Sequence, residues 1–102
     1  MTSLPTLNPL FHQIVKTRLA VLLNQKAHSF TQLKSALNIT DGNLDAHLRK
    51  LSSAGYIHSQ MVLERRPHTI YELSNNGKVA FKQYQETMRI LIKYPQSLLD
   101  EE

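Results

Sequence analysis

The chain has no cysteine, only three glycines and four prolines, and no long apolar run. Each shortage excludes something. Without cysteine there is no disulfide framework, no thiolate metal site and no cysteine nucleophile. The composition fits a reducing compartment, and a cytoplasmic protein is expected. Scarce Gly and Pro exclude collagen-like and low-complexity chains. No apolar stretch approaches the roughly 18–20 residues of a membrane span. The N-terminus lacks the charged start and apolar centre of a signal peptide. Nucleophile motifs, phosphate loops and motif-level carboxylate pairs are also missing, so catalysis is not expected. The five histidines, His12, His28, His47, His58 and His68, include no i,i+3 or i,i+4 pair and no H-E-x-x-H. They read as scattered surface residues, and no metal or cofactor is expected.

What is present is one small domain of 102 residues, 41% apolar. The net charge is +4 and the sequence pI is about 9.6. Asp100, Glu101 and Glu102 close the chain; setting them aside leaves 12 basic against 5 acidic side chains, a charge of +7. A basic body points to an anionic partner, nucleic acid first. Charge of this size also serves solubility alone.

Periodicity divides the chain into elements. Residues 1–7 read as a loose lead-in. Asn8 then Pro9 is an N-cap followed by a favoured first helical residue. From Leu10 to Leu23 the apolar residues form a stripe wider than one contact requires, which predicts a helix touching two partners. Asn24 to His28 reads as a polar connection. Ser29 and Gln32 form an S-x-x-Q capping box, and Phe30, Leu33, Ala36 and Leu37 give the next helix one apolar face. Asn38 tolerates the left-handed conformation that ends it.

The following stretch, TDGNLDAHLRKLSSAGY (40–56), carries Leu44, Leu48 and Leu51 on one helical stripe and polar groups elsewhere. Thr40 caps it, Asp41 suits the positive end of the helix dipole, and Gly55 ends it. Two short helices joined by a three-residue turn form a helix-turn-helix. Strand formers follow at Tyr56–Leu63 and Thr69–Leu73, with Glu64-Arg65-Arg66-Pro67-His68 as the hairpin tip. Ser74 caps a last helix over 75–93, again with a wide apolar face. Pro95 and the acidic tail (94–102) end the ordered chain. The predicted fold is mainly α with a small β-hairpin wing: a winged helix-turn-helix over 8–93, with a three-helix core, a two-stranded wing and a long C-terminal helix.

Three pieces resemble the MarR and ArsR type of winged-helix regulators: NPLFHQIVKTRLAVLL (8–23), TDGNLDAHLRKLSSAGYI (40–57) and RRPHTIYELSNNGKVAF (65–81). They cover most of residues 8–93 and are similar to the first helix, the recognition helix with its following strand, and the wing with the start of the last helix. The second piece is the most specific and points to small stand-alone members.

In such a fold the second helix of the pair enters the DNA major groove. Leu44, Leu48 and Leu51 would hold it to the core. Gly42 would let backbone approach phosphate or base closely. Thr40 and Asn43 would hydrogen-bond backbone or base edges, Ala46 would touch a thymine methyl, and His47 or Arg49 would reach a base or phosphate. Lys50 and Lys34 are phosphate candidates. Asp45 departs from the family, which commonly carries a small hydroxyl residue there. It either accepts from a cytosine amino group or pairs with Arg49, and the pairing is favoured. Arg65 and Arg66 are expected along the DNA backbone or in the minor groove; a charged tip also guards against edge pairing.

Surplus apolar surface on the first and last helices predicts a homodimer through Leu10, Phe11, Ile14, Phe81, Tyr84, Met88, Leu91 and Ile92. Packing of those residues within one subunit is the alternative. A symmetric dimer would place two recognition helices about 34 Å apart on a pseudo-palindromic site. The expected partners are therefore double-stranded DNA and a second copy, with repression by steric exclusion and room for a small-molecule effector at the dimer interface. The competing reading is a winged helix used for protein–protein contact without DNA. RNA binding is disfavoured, since no exposed strand is rich in aromatic residues.

Overall fold

The computed structural model describes residues 4–93. Helix α1 spans Ile14–Gln25, strand β1 His28–Ser29, α2 Phe30–Leu37, α3 Asp41–Ser53, β2 Ile57–Leu63, β3 Pro67–Leu73 and α4 Asn75–Ile92. Residues 1–3 of the expected lead-in and the acidic tail over 94–102 lie outside the described residues.

The helix boundaries follow local chemistry. Ser29 and Gln32 close a complete capping box at α2. Asn38 ends α2 with φ 53°. Thr40 Oγ1 then accepts from the Asn43 amide at 3.2 Å, so only three residues separate α2 from α3. At the other end of α3, Tyr56 N donates to Leu51 O at 3.0 Å and Gly55 N to Ser52 O at 2.9 Å. With Gly55 at φ 79° this is a Schellman motif.

Two expectations are corrected. The first helix begins at Ile14, not at Pro9. Asn8 does cap, but only a turn: its Oδ1 accepts from Leu10 N at 3.0 Å and its carbonyl from Phe11 N at 3.1 Å. The chain is then extended at Gln13, with φ −91° and ψ 127°. Burial of Phe11 decides this. Its ring lies 5.5 Å from Tyr56 and Phe81 and 5.6 Å from Tyr84. Asn8 Nδ2 also donates to the Tyr56 hydroxyl at 3.0 Å. Burial of a Phe is worth roughly 1.5–3 kcal/mol, more than the first turn of a helix returns. Leu7, expected in the loose lead-in, packs against the same core.

The second correction is the sheet. It has three strands, in order β1-β3-β2, all antiparallel. His28, the last residue of the connection read as polar, and the capping Ser29 form β1, which pairs His28 with Tyr71 and Ser29 with Ile70. The hairpin forms where expected but with a shorter tip: Pro67 and His68, expected in the tip, belong to β3, with Leu63 opposite Pro67 and Ile57 opposite Leu73. Pro67 is the first residue of its strand, where a missing N–H is tolerated.

The core gathers Leu19 and Leu23 of α1, Leu33 and Leu37 of α2, Leu44, Leu48 and Leu51 of α3, and Ile57, Leu73 and Phe81. Helix α4 starts close against the end of α3. Ser74 N donates to the Tyr56 carbonyl at 2.9 Å, and Ser74 Oγ donates to the Gly55 carbonyl at 2.5 Å while accepting from Gly77 N at 3.0 Å. A Cβ at Gly77 would stand 1.9 Å from the Tyr56 carbonyl oxygen, so only glycine fits there.

Candidate nucleic-acid interface

Helix α3 is anchored on one side and open on the other. Leu44, Leu48 and Leu51 are buried, while Thr40, Gly42, Asn43, Ala46, Arg49 and Lys50 are exposed. Of the residues predicted to face DNA on this helix, these six are thus solvent-exposed, while Asp45 and His47 are half-buried. At Gly42 a Cβ would meet no atom within 4 Å. The subunit itself therefore gives no steric reason for glycine at that position, in contrast to Gly77. In the first turn of a helix glycine is a weak former.

Asp45 and Arg49 are paired, with Oδ2 and Nη2 2.7 Å apart one turn apart on α3. Lys34 Nζ of α2 lies 2.8 Å from Asp41 Oδ1, which ties α2 to the first turn of α3. Arg65 and Arg66 are exposed in the three-residue tip between β2 and β3.

His47 is half-buried and held from beneath. Its Nδ1 lies 2.9 Å from Nζ of Lys16, a lysine only 1% exposed. Lys16 also donates to Gln13 Oε1. Both the lysine and the imidazole are held below their ordinary pKa values. For Lys16 the causes are burial, then the charge of Lys50; for His47 they are burial, then Lys16, then Lys50. Each cause disfavours another positive charge at this spot.

Lys16 was not among the sequence-derived candidates. Its signal was the register of α1: Lys16, Leu19, Ala20 and Leu23 are the buried positions, an i, i+3, i+4, i+7 stripe. A lysine occupying the first place of a core stripe needs a partner.

The dimer candidates divide. Phe11, Phe81 and Tyr84 belong to the subunit core and form one aromatic cluster, with Phe81 and Tyr84 centroids 6.4 Å apart. Those three side chains have almost no surface left for a second copy, so part of the surplus stripe is used inside the subunit. Leu10 and Leu91 are half-buried, and Met88 packs at the core margin. Ile14 and Ile92 are 76% and 75% exposed. Between α1 and α4 runs a groove of about 480 Å³, lined by Val21, Phe81, Tyr84, Met88 and Ile92 among others.

Among the described residues no helix is long and apolar enough to cross a membrane, and no cluster of three or more His, Asp or Glu could hold a metal ion. His58 instead pairs with Glu72 across the sheet at 3.3 Å.

The fold and sequence place this arrangement among known proteins. An uncharacterised protein of Methanocaldococcus jannaschii is 40% identical over 77 residues, covering 74% of this chain and 84% of that protein. A transcriptional regulator homologue from Pyrococcus horikoshii superposes with a TM-score of 0.78 at 26% identity, over 83% of this chain and 86% of that one. A protein of Enterococcus faecalis assigned to the MarR family of transcriptional regulators superposes with a TM-score of 0.76 at 22% identity, over 90% and 84% of the two chains. Residues 17–92 match the model of the winged helix DNA-binding domain, and the chain belongs to that family.

Proposed function

We propose that this protein is a sequence-specific transcriptional repressor that binds double-stranded DNA as a homodimer on a pseudo-palindromic site, in the cytoplasm. The observation that carries the reading is the exposed face of α3. Its polar side chains are free of the core, and its first turn carries a bare glycine with open space above it. Helix N-termini bind phosphate through unpaired N–H groups, and Gly42 allows a backbone to come close. Asn43, Ala46, His47 and Arg49 would read bases, Lys50 would contact phosphate, and Thr40 would contact DNA beside its capping role. Asp45 would act through Arg49, holding it back from or aiming it at the duplex. Arg65 and Arg66 would engage the DNA backbone or the minor groove from the wing.

Dimerisation would use what the core leaves over: Ile14, Leu10 and Leu91, with Met88 and Ile92 at the α1–α4 groove. Repression would follow from occupying a promoter to the exclusion of polymerase. An effector, where one acts, would bind at that interface.

The test is a salt titration of binding to random duplex DNA, followed by selection from a random pool. Log affinity should fall linearly with log salt concentration, and Arg65→Ala with Arg66→Ala should make the slope shallower by about 0.9 per lost phosphate contact. An enriched inverted repeat is expected. Absence of binding at low salt would reject the reading in favour of protein contact, for which the exposed Met61 and Leu63 of β2 are the surface to follow.

A further inference from the structure

The buried lysine beneath the reading helix has no role in holding the core together that an apolar side chain would not fill better. Its head group lies on two acceptors, Gln13 Oε1 and His47 Nδ1. An ammonium group has only donors. With Lys16 charged, His47 Nδ1 accepts, and the single proton of the neutral ring sits on Nε2. Among the described residues no buried side-chain nitrogen or oxygen lacks a partner. Nε2 has no protein partner, so it faces solvent. On α3, His47 follows Asn43 by four residues and precedes Lys50 by three, which puts all three on one edge of the exposed face. Elsewhere the polarity is reversed: the Nδ1 atoms of His28 and His68 sit 2.8 and 2.9 Å from the carbonyls of Lys26 and Arg66 and can only donate to them.

We infer that Lys16 is a positioning residue for DNA recognition, fixing His47 as an outward Nε2–H donor aimed at a hydrogen-bond acceptor of the duplex. The inference rests on the DNA reading of α3. The acceptor is an oxygen or ring nitrogen, supplied either by a phosphate or by a purine edge in the major groove. Lys16 does two things at once. It orients the ring from below, and its charge opposes protonation, so the ring stays a neutral one-directional donor. The charged groups around the imidazole act together. Lys16 on α1 and Lys50 on α3 both oppose a positive ring.

The experiment is a two-bond ¹H–¹⁵N correlation spectrum of the labelled full-length protein across a pH series, with DNA binding measured in parallel. In the native protein the His47 ring should show protonated Nε2 and unprotonated Nδ1, and should titrate below the ordinary 6.5. Lys16→Met should raise that midpoint and mix the tautomers. It should also weaken binding about tenfold at neutral pH, the value of one well-placed hydrogen bond. His47→Ala should show a similar loss. His47→Gln, whose amide offers an oxygen inward and an N–H outward, should bind within about threefold of native. A loss equal on selected and random duplexes identifies phosphate as the acceptor, and a loss confined to the selected site identifies a base.

A native ring protonated on Nδ1 overturns the proposal, and needs no variant to fold. So does a tautomer unchanged by Lys16→Met, or full affinity in His47→Ala. If the native spectrum is as expected but the protein binds no duplex, the DNA reading has failed while the Lys16–His47 arrangement stands.

Discussion

Lys16 Nζ sits 2.9 Å from His47 Nδ1, joining the buried stripe of α1 to the exposed face of α3. Both groups carry pKa values pushed down by burial. This has a consequence for stability. The unfolded chain binds a proton at His47 near the ordinary 6.5, whereas the folded chain binds it only at lower pH. Between those two values the unfolded state holds more protons, so stability rises with pH there. The contribution is complete above 6.5 and is lost as pH falls through the window below it. Urea midpoints taken from about pH 7.5 down to about pH 5 should decline, and His47→Gln should decline less. Equal declines would place the sensitive group elsewhere.

Gly77 and Gly42 should respond oppositely to alanine. At Gly77 the new methyl would collide with the Tyr56 carbonyl. Backbone must shift, at a cost of about 2–4 kcal/mol. At Gly42 nothing is met within 4 Å, and alanine is the better helix former by up to about 1 kcal/mol. Gly42→Ala should therefore fold at least as well as native while binding DNA more weakly. Unchanged binding would show that no backbone approaches the first turn of α3 that closely.

The Asp45–Arg49 pair is solvent-exposed, so Asp45→Asn should cost only about 0.3–0.5 kcal/mol of stability. Its effect on DNA should run the other way. Releasing Arg49 and removing a carboxylate beside phosphates should raise affinity by up to roughly fivefold, most clearly at low salt. Lower affinity in a filter-binding assay would mean that Asp45 itself accepts from the duplex or aims Arg49 at it.

Ile14 and Ile92 are left in water by the single subunit. Sedimentation equilibrium should give twice the chain mass of 11.7 kDa, and Ile92→Glu should shift it towards the monomer with little loss of subunit structure. Phe81→Ala provides the contrast. Buried in the aromatic cluster, it should cost about 3–5 kcal/mol and lower the thermal midpoint rather than simply dissociate the dimer.

Most of the architecture was legible in the sequence because it is written in short-range signals. The Ser29–Gln32 box, the Asn38 turn, the Thr40 cap, Gly55 and the Leu44-Leu48-Leu51 stripe each act within a few residues. What escaped depends on distance along the chain. Asn8-Pro9 reads as a helix start, yet Phe11 meets Tyr56 and Phe81, respectively 45 and 70 residues later in the numbering, and those contacts overrule it. Two residues of strand at His28–Ser29 carry no alternation to detect. The candidate site followed the same division. The exposed face of α3 was visible from its periodicity, and so was the Asp45–Arg49 pair. Lys16 was not, because the wide α1 stripe hid which of its faces was the buried one.

The short strand β1 has a mechanical consequence. Ser29 pairs with Ile70 of the wing and is also the N-cap of α2. The base of the wing is thus hydrogen-bonded to the start of the helix-turn-helix. On a duplex, the distance between a groove contact proposed for α3 and a backbone contact proposed for Arg65 or Arg66 would become a built-in caliper. A site with the right bases but an altered helical twist would offer one contact at the expense of the other.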